Sequence, residues 1–222
     1  MNIPDKIKKI KSELPEKVKL VAVSKTKPNE DIMQAYNAGH KIFGENKVQD
    51  LVKKYEELPK DIKWHFIGHL QSNKVKYIVP FVSLIHAVDS LKLLKIIEKE
   101  GKEINRPINC LLQMHIAEEE TKFGLSFEEI NEILNSQEYR NIKFVKISGL
   151  MGMATNTPDK EQVRKEFAYL KSCFDSLKSG IFKNSKDFKN LSMGMSGDYK
   201  IAVEEGSNMV RIGSLLFGAR NY

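Results

Sequence analysis

The chain has 222 residues, of which 41% are hydrophobic and 29% are charged, and its formal net charge is +7. This length suits one domain with a substantial core, and no apolar stretch is long enough to cross a membrane. The lysines are mixed with glutamates along the whole chain, so we expect neither a nucleic-acid nor a membrane partner, although the net charge keeps nucleic-acid binding as an alternative. The N-terminus lacks the apolar core of a secretion signal, which predicts a cytoplasmic protein.

The first half of the chain alternates between helical and extended patterns. Pro4 suits the first turn of a helix, and apolar residues recur after it at helical spacing. Asn29 is predicted to cap the second helix, and Gly39 is predicted to end it. The predicted elements are helices over 4–14, 29–38, 47–58, 72–78 and 90–101, alternating with strands over 18–24, 41–45, 63–68 and 82–88.

The second half continues the same alternation. Ser126 and Glu129 have the spacing of a capping box, which predicts a helix start. Cys110 falls in a predicted strand and Cys173 in a predicted helix, and we expect both to be core residues and not a disulfide. The predicted elements are strands over 108–116, 143–150, 190–195 and 209–212, with helices over 126–134, 159–177, 199–205 and 215–219.

Eight strands that are each followed by a helix predict an α/β fold, the (β/α)₈ TIM barrel, with one extra helix at the N-terminus. We expect one domain over residues 1–222. A doubly wound open sheet is the alternative architecture. It often carries a glycine-rich first turn, and no such turn follows the first predicted strand.

Polar and small residues collect after the predicted strands, at the barrel face that carries function in this fold. Lys25 follows the first strand, where it either reaches solvent or acts as a nucleophile toward a carbonyl group. Ser196 follows the seventh strand, and Gly213 and Ser214 follow the eighth, where small residues before a helix favour phosphate binding. A ligand with a phosphate and an aldehyde would join the two places, and pyridoxal phosphate (PLP) is such a ligand.

Arg211 and Asn46 complete the set of candidate site residues. Arg211 would face the pyridine nitrogen of PLP, and its alternative is an ion pair with a carboxylate such as Glu204 or Glu205. Asn46 would bond the phenolic oxygen of the cofactor, or it would cap the following helix. The five histidines show no metal-type spacing, so we expect no metal site.

These segments together resemble the pyridoxal phosphate homeostasis proteins, which are single-domain relatives of the alanine racemase N-terminal barrel. The match covers nearly the whole chain, and its order and combination make it specific. The matching stretches are AVSKT (22–26), FGEN (43–46), WHFIGHLQSNK (64–74), GLMGM (149–153), LSMGMS (191–196) and VRIG (210–213).

The resemblance implies that Lys25 holds PLP as a Schiff base and that Arg211 faces the pyridine nitrogen. It also implies that Ser196, Gly213 and Ser214 receive the phosphate. The chain departs from the family pattern in two places. Met114 and His115 stand where a small or branched residue and an asparagine are usual, and Gly197 stands before Asp198 where an acidic residue is common.

The resemblance favours a binding protein over an enzyme. Racemization needs acid/base groups on both faces of the substrate, and in the racemases one group comes from a second domain of a partner subunit. The chain reaches Tyr222 directly after the barrel, so we expect no second domain, and a terminal tyrosine is a poor replacement base. We therefore expect a monomer that binds, stores and delivers PLP inside the cell, with apo PLP enzymes as recipients. The alternatives are a racemase-like PLP enzyme and a sugar-phosphate aldolase that uses Lys25.

Overall fold

Eight parallel strands form a closed barrel in the computed structural model, which describes residues 1–119 and 123–218. Each strand pairs with the next one along the chain, and the last pairs with the first. This order confirms the predicted (β/α)₈ barrel. The strands are β1 (Lys19–Val23), β2 (Ile42–Glu45), β3 (Lys63–Phe66), β4 (Leu84–Val88), β5 (Ile108–Met114), β6 (Val145–Gly152), β7 (Asn190–Ser192) and β8 (Met209–Ile212).

Helices follow the strands around the outside of the barrel, and one precedes the first strand as predicted. A short helix after the sixth one was not predicted, and the last predicted turn ends at Ala219, which lies outside the described residues. The helices are α1 (Ile3–Glu13), α2 (Asn29–Asn37), α3 (Val48–Glu57), α4 (Val75–Ile78, after a 3₁₀ turn at Ser72–Lys74), α5 (Leu91–Glu103), α6 (Phe127–Asn135), α7 (Gln137–Arg140), α8 (Lys160–Ser179), α9 (Tyr199–Glu204) and α10 (Ser214–Phe217).

Local sequence signals set most helix ends. The capping box of Ser126 and Glu129 is present at α6, and Gly39 follows α2 with a φ of 82°. The predicted cap at Asn29 is wrong. Pro28 occupies the capping position without a side-chain bond, since its restricted φ already suits the extended residue before a helix. The Asn29 side chain instead donates a hydrogen bond to Glu57.

Two apolar layers hold the barrel. Successive side chains of a strand point to opposite sides, so one set faces the helices and the other fills the barrel. Phe43, Trp64 and Phe167 are among the largest side chains of the outer layer, and all three are fully buried. Both cysteines are free and buried, as expected. The inner layer consists of Val21, Leu84, Ala87, Leu111, Met151 and Met209.

Strand β6 carries an irregularity that shapes the barrel mouth. Its register with β5 shifts between Cys110 and Leu112, so β6 has one extra residue there. Gly149 lies in this bulge with a φ of 150°, and a Cβ atom on it would sit 1.7 Å from the Asn190 carbonyl oxygen. Only glycine allows this close approach of β6 to β7.

Within residues 1–119 and 123–218, no helix combines the length and the apolarity that crossing a membrane requires. β7 ends three residues earlier than predicted, although Met193 and Gly194 still form one backbone hydrogen bond each with β8.

Candidate functional site

A cleft of about 270 Å³ opens at the carboxyl ends of the strands. This volume is close to the lower end of the range for small-molecule sites, roughly 300 to 1,000 Å³, and suits a compact ligand. The cleft brings together all six residues that the sequence singled out as site candidates. These are Lys25, Asn46, Ser196, Arg211, Gly213 and Ser214.

Lys25 sits in a tight turn directly after β1. The Lys27 N–H donates to the Ser24 carbonyl oxygen at 3.0 Å and closes the turn. Thr26 has a φ of 63°, a left-handed conformation that is strained for a β-branched residue. Strained backbone of this kind persists only where the surroundings enforce it, and it is common at functional sites. The turn therefore presents half-buried Lys25 to the cleft on a fixed backbone.

A buried ion pair lies beneath this turn. The Lys54 ammonium group contacts Glu45 Oε1 at 2.6 Å and donates a second hydrogen bond to the Ser24 carbonyl oxygen at 2.8 Å. The Ser24 hydroxyl also donates to Glu45 Oε1, at 2.8 Å. Burial raises the pKa of Glu45, while Lys54 and Ser24 oppose that shift by favouring the carboxylate. The Ser24 carbonyl thus accepts from two donors, which anchors the start of the Lys25 turn.

The guanidinium group of Arg211 lies inside the barrel, below the cleft. Nη1 donates to the Ser192 carbonyl at 2.9 Å and to the Ser192 hydroxyl at 2.7 Å, and Nη2 donates to the Gly152 carbonyl at 3.0 Å. Burial lowers the pKa of Arg211 to about 10, so it stays charged at neutral pH. The alternative that Arg211 pairs with Glu204 or Glu205 is wrong, because Arg164 binds both carboxylates on the outside of the barrel.

Two histidines extend the Arg211 contacts through the barrel. His86 Nδ1 lies 3.0 Å from the Ser192 hydroxyl, and His86 Nε2 lies 3.0 Å from His65 Nδ1. Burial lowers the pKa of His65 to about 3 and that of His86 well below its ordinary value, so both rings are neutral. We call Arg211, Ser192, His86 and His65 the interior polar row. The sequence analysis did not single out His86, whose one signal was a polar residue inside the apolar run of β4.

The opposite end of the cleft is built from small residues. The Gly213 N–H donates to the Ser196 hydroxyl at 3.3 Å, and Ser214 begins α10. A Cβ atom on Gly213 would lie 3.3 Å from the Val23 carbonyl oxygen, so β8 passes close to β1 here. Gly197 borders open space. The hydroxyl-bearing residues Ser196 and Ser214 and the glycines Gly197 and Gly213 therefore line this end of the cleft.

Asn46 follows β2 and lines the cleft. The alternative that it caps α3 is wrong, because Lys47 holds that position and makes no side-chain cap bond. A Cβ atom on Gly68 would lie 2.2 Å from the Asn46 carbonyl oxygen, so the backbone after β3 presses against Asn46. His69, in the loop after β3, lies 3.1 Å from Asp89 through Nδ1 and stacks on Phe123.

The two departures from the family pattern have different surroundings. Met114 is buried in β5, and His115 contacts the Glu119 carbonyl oxygen through Nε2 at 3.0 Å. Gly197 borders the cleft, and the Asp198 carboxylate accepts from the Met195 N–H. Tyr222, considered as a replacement base, lies outside the described residues.

Comparison with known proteins points to one family. Residues 2–221 match the family model of the alanine racemase N-terminal domain. The pyridoxal phosphate homeostasis protein of Aquifex aeolicus is 42% identical over 206 residues, which cover 92% of this chain and 88% of that protein. PipY of Synechococcus elongatus PCC7942, solved without PLP, matches with a TM-score of 0.91 and 34% identity over 98% of this chain and all of that one. The PLP-bound structure of PipY matches with a TM-score of 0.88 and 33% identity over the same shares of the two chains.

The buried histidines predict a loss of stability in acid. Burial lowers the pKa of His40 from 6.5 to about 4 and that of His65 from 6.5 to about 3, so the folded chain binds fewer protons than the unfolded chain below pH 6.5. The free energy of unfolding should fall by about 2 kcal/mol per histidine between about pH 6.5 and about pH 5. Urea unfolding at a series of pH values measures this slope. His69→Gln, at an exposed histidine, should keep the slope, and a flat profile in the unsubstituted chain would contradict the assignment.

Proposed function

The chain belongs to the pyridoxal phosphate homeostasis protein family, and from that premise we propose that it binds PLP at the cleft as a Schiff base on Lys25 and serves to store and deliver this cofactor. One observation carries the proposal. The six candidate residues line one small cleft, although the first and the last of them, Lys25 and Ser214, are 189 positions apart in the chain (214 − 25). All six come from one chain, so we propose that the monomer, with the barrel over residues 1–222 as one domain, is the binding unit. The recipients would be apo PLP enzymes in the cytoplasm.

The residues of the cleft fit this cofactor. When bound, PLP supplies an electrophilic aldehyde and an electron-withdrawing ring. The Lys25 amine condenses with an aldehyde to form a C=N bond with release of water. Ser196, Gly213 and Ser214 offer hydroxyl and backbone N–H donors to the phosphate, and an anion is favoured where such donors converge.

Arg211 would set the electronic state of the ring. It has no lone pair and holds its charge at neutral pH, so it would donate a hydrogen bond to the pyridine nitrogen without giving up its proton. Three further hydrogen bonds to Ser192 and Gly152 fix its plane. An unprotonated pyridine is a weak electron sink, which suits a carrier better than a catalyst.

The composition of the cleft also favours a carrier. In the described part of the chain, no histidine, tyrosine, aspartate or glutamate lines the cleft, and its titratable groups are Lys25, Lys27 and Arg211. Proton transfer on both faces of an amino-acid substrate needs a second acid/base group opposite the cofactor lysine. The membership in a homeostasis protein family supports the same reading.

Lys25→Ala should abolish the adduct that borohydride traps between PLP and the protein, because the amine proposed to form the Schiff base is then absent. Some reversible PLP binding should remain through the phosphate end of the cleft. Visible absorbance before and after borohydride, followed by peptide mapping, measures this. Lys27→Ala removes the same charge from the same cleft and should keep the adduct on the Lys25 peptide. An adduct of equal yield in Lys25→Ala would overturn the assignment.

Ser214→Asp should weaken PLP binding about tenfold or more, because a carboxylate would face the phosphate dianion at short range. Ser214→Asn has nearly the same size without the charge and should bind markedly better than Ser214→Asp. Equilibrium dialysis of PLP against the two variants gives the comparison. Equal losses in both would show that space, and not charge, governs this end of the cleft.

A racemase-like PLP enzyme is the second candidate, favoured by the match to the alanine racemase N-terminal domain. Chiral analysis of a panel of amino acids incubated with the PLP-loaded protein tests it. We expect no enantiomer exchange above that of free PLP. A rate of enantiomer exchange above that of free PLP, lost in Lys25→Ala, would show that the protein is an enzyme and not only a carrier.

A further inference from the structure

A second cavity opens at the other end of the barrel, among the amino ends of the strands. Its volume is about 350 Å³. Three lysines line it, namely Lys19 at the start of β1, Lys63 at the start of β3 and Lys189 just before β7. We call this cavity the basic floor. It shares no lining residue with the cleft at the carboxyl ends.

The basic floor concentrates uncompensated positive charge. Asp187 is the one carboxylate among the lining residues that the structure describes. The Lys19 ammonium donates to the Asn190 side-chain oxygen at 3.3 Å, and across residues 1–119 and 123–218 none of the three lysines forms an ion pair. Burial, and then the charges of Lys189 and Lys63, lower the pKa of Lys19. Like charges held this close are relieved by a bound anion.

His65 adds an available ring nitrogen to the basic floor. Its side chain is 94% buried, it lines the basic floor, and its Nδ1 is bonded to His86. Among the described residues, His65 Nε2 has no hydrogen-bond partner. This nitrogen is not a buried, unsatisfied atom, so it is reached from the cavity and is available to a bound ligand or to water.

The interior polar row decides which proton His65 carries. Arg211 can only donate, so the Ser192 hydroxyl oxygen accepts from it. Among the described residues, the one other partner of that hydroxyl is His86 Nδ1, which therefore accepts a hydrogen bond from it. Neutral His86 then carries its own proton on Nε2 and donates to His65 Nδ1. His65 is left with its proton on Nε2, as a donor that opens onto the basic floor.

We propose that the basic floor is a binding site for a small tetrahedral oxyanion such as phosphate, held by the ammonium groups of Lys19, Lys63 and Lys189 and by the Nε2–H group of His65. All four groups are donors, and three carry full charges, which is the donor set that a multiply charged oxyanion requires. The amide side chain of Asn109 also lines the cavity and is a neutral polar partner. The three lysines disfavour an apolar ligand, because their ammonium groups would lose hydration without gaining a partner.

The test titrates the purified chain with inorganic phosphate and follows the side-chain ¹⁵N signals of its histidines by NMR. A Ser214→Asp background disfavours phosphate in the cleft at the carboxyl ends. Sodium chloride at equal ionic strength is the reference, because general screening must not be read as binding. We expect saturable shifts of the His65 Nε2 signal, and a spectrum that shows the Nε2–H tautomer before phosphate is added.

Two matched double variants sharpen the result. Lys63→Gln with Lys189→Gln removes two exposed floor lysines and should weaken phosphate binding about tenfold, since each exposed charge contact contributes up to roughly fivefold. Lys92→Gln with Lys95→Gln removes the same charge from the exposed face of α5 and should leave the affinity unchanged. Equal affinity in both double variants, no saturable shift at His65, or shifts that vanish only in the Ser214→Asp background would each overturn the proposal.

Discussion

The parallel pairing of the first strand with the last is the constraint on which the candidate site depends. It joins Val21 to Arg211 and Ala22 to Ile212, so the turn that follows β1 lies beside the residues that follow β8. Because the two strands run in the same direction, Lys25 and Ser214 emerge at the same end of the barrel. An open sheet of the same eight strands would place them at opposite edges. Barrel closure therefore creates the cleft, and the loops only line it.

Two buried polar networks then hold the key side chains in place, one on each side of the closure. The Glu45–Lys54 pair fixes the carbonyl of Ser24 before the Lys25 turn, and the interior polar row fixes the plane of Arg211. Buried charges are costly unless they are paired and hydrogen-bonded, so neither network is a cheap source of stability. One Glu45 oxygen even lacks a partner among the described residues. We attribute both networks to the positioning of a ligand site.

The barrel and the cleft could largely be predicted from the sequence because both follow local patterns. Strand and helix periodicity gave the topology, and residues just after strands meet at one face of a parallel barrel. The contacts that hold the site depend on register, which one chain does not reveal. Arg211 lies near Glu204 and Glu205 in sequence, yet it points into the barrel while Arg164 binds both acids outside. The link from His86 to Ser192 spans 106 positions, and the β6 bulge at Gly149 has no local signal beyond the glycine itself.

The direction of the hydrogen bonds in the interior polar row links the evolution of the cleft to that of the basic floor. Arg211 lacks a lone pair, so the row cannot reverse while this residue is present. A glutamine at position 211 could both donate and accept a hydrogen bond, so the hydrogen bonds of the row could then point in either direction. His65 would then present an N–H group to the basic floor with one direction of these hydrogen bonds, and a lone pair with the other. The residue at position 211, below the cleft, thus determines whether the basic floor offers a hydrogen-bond donor or an acceptor, with no change in the backbone between them.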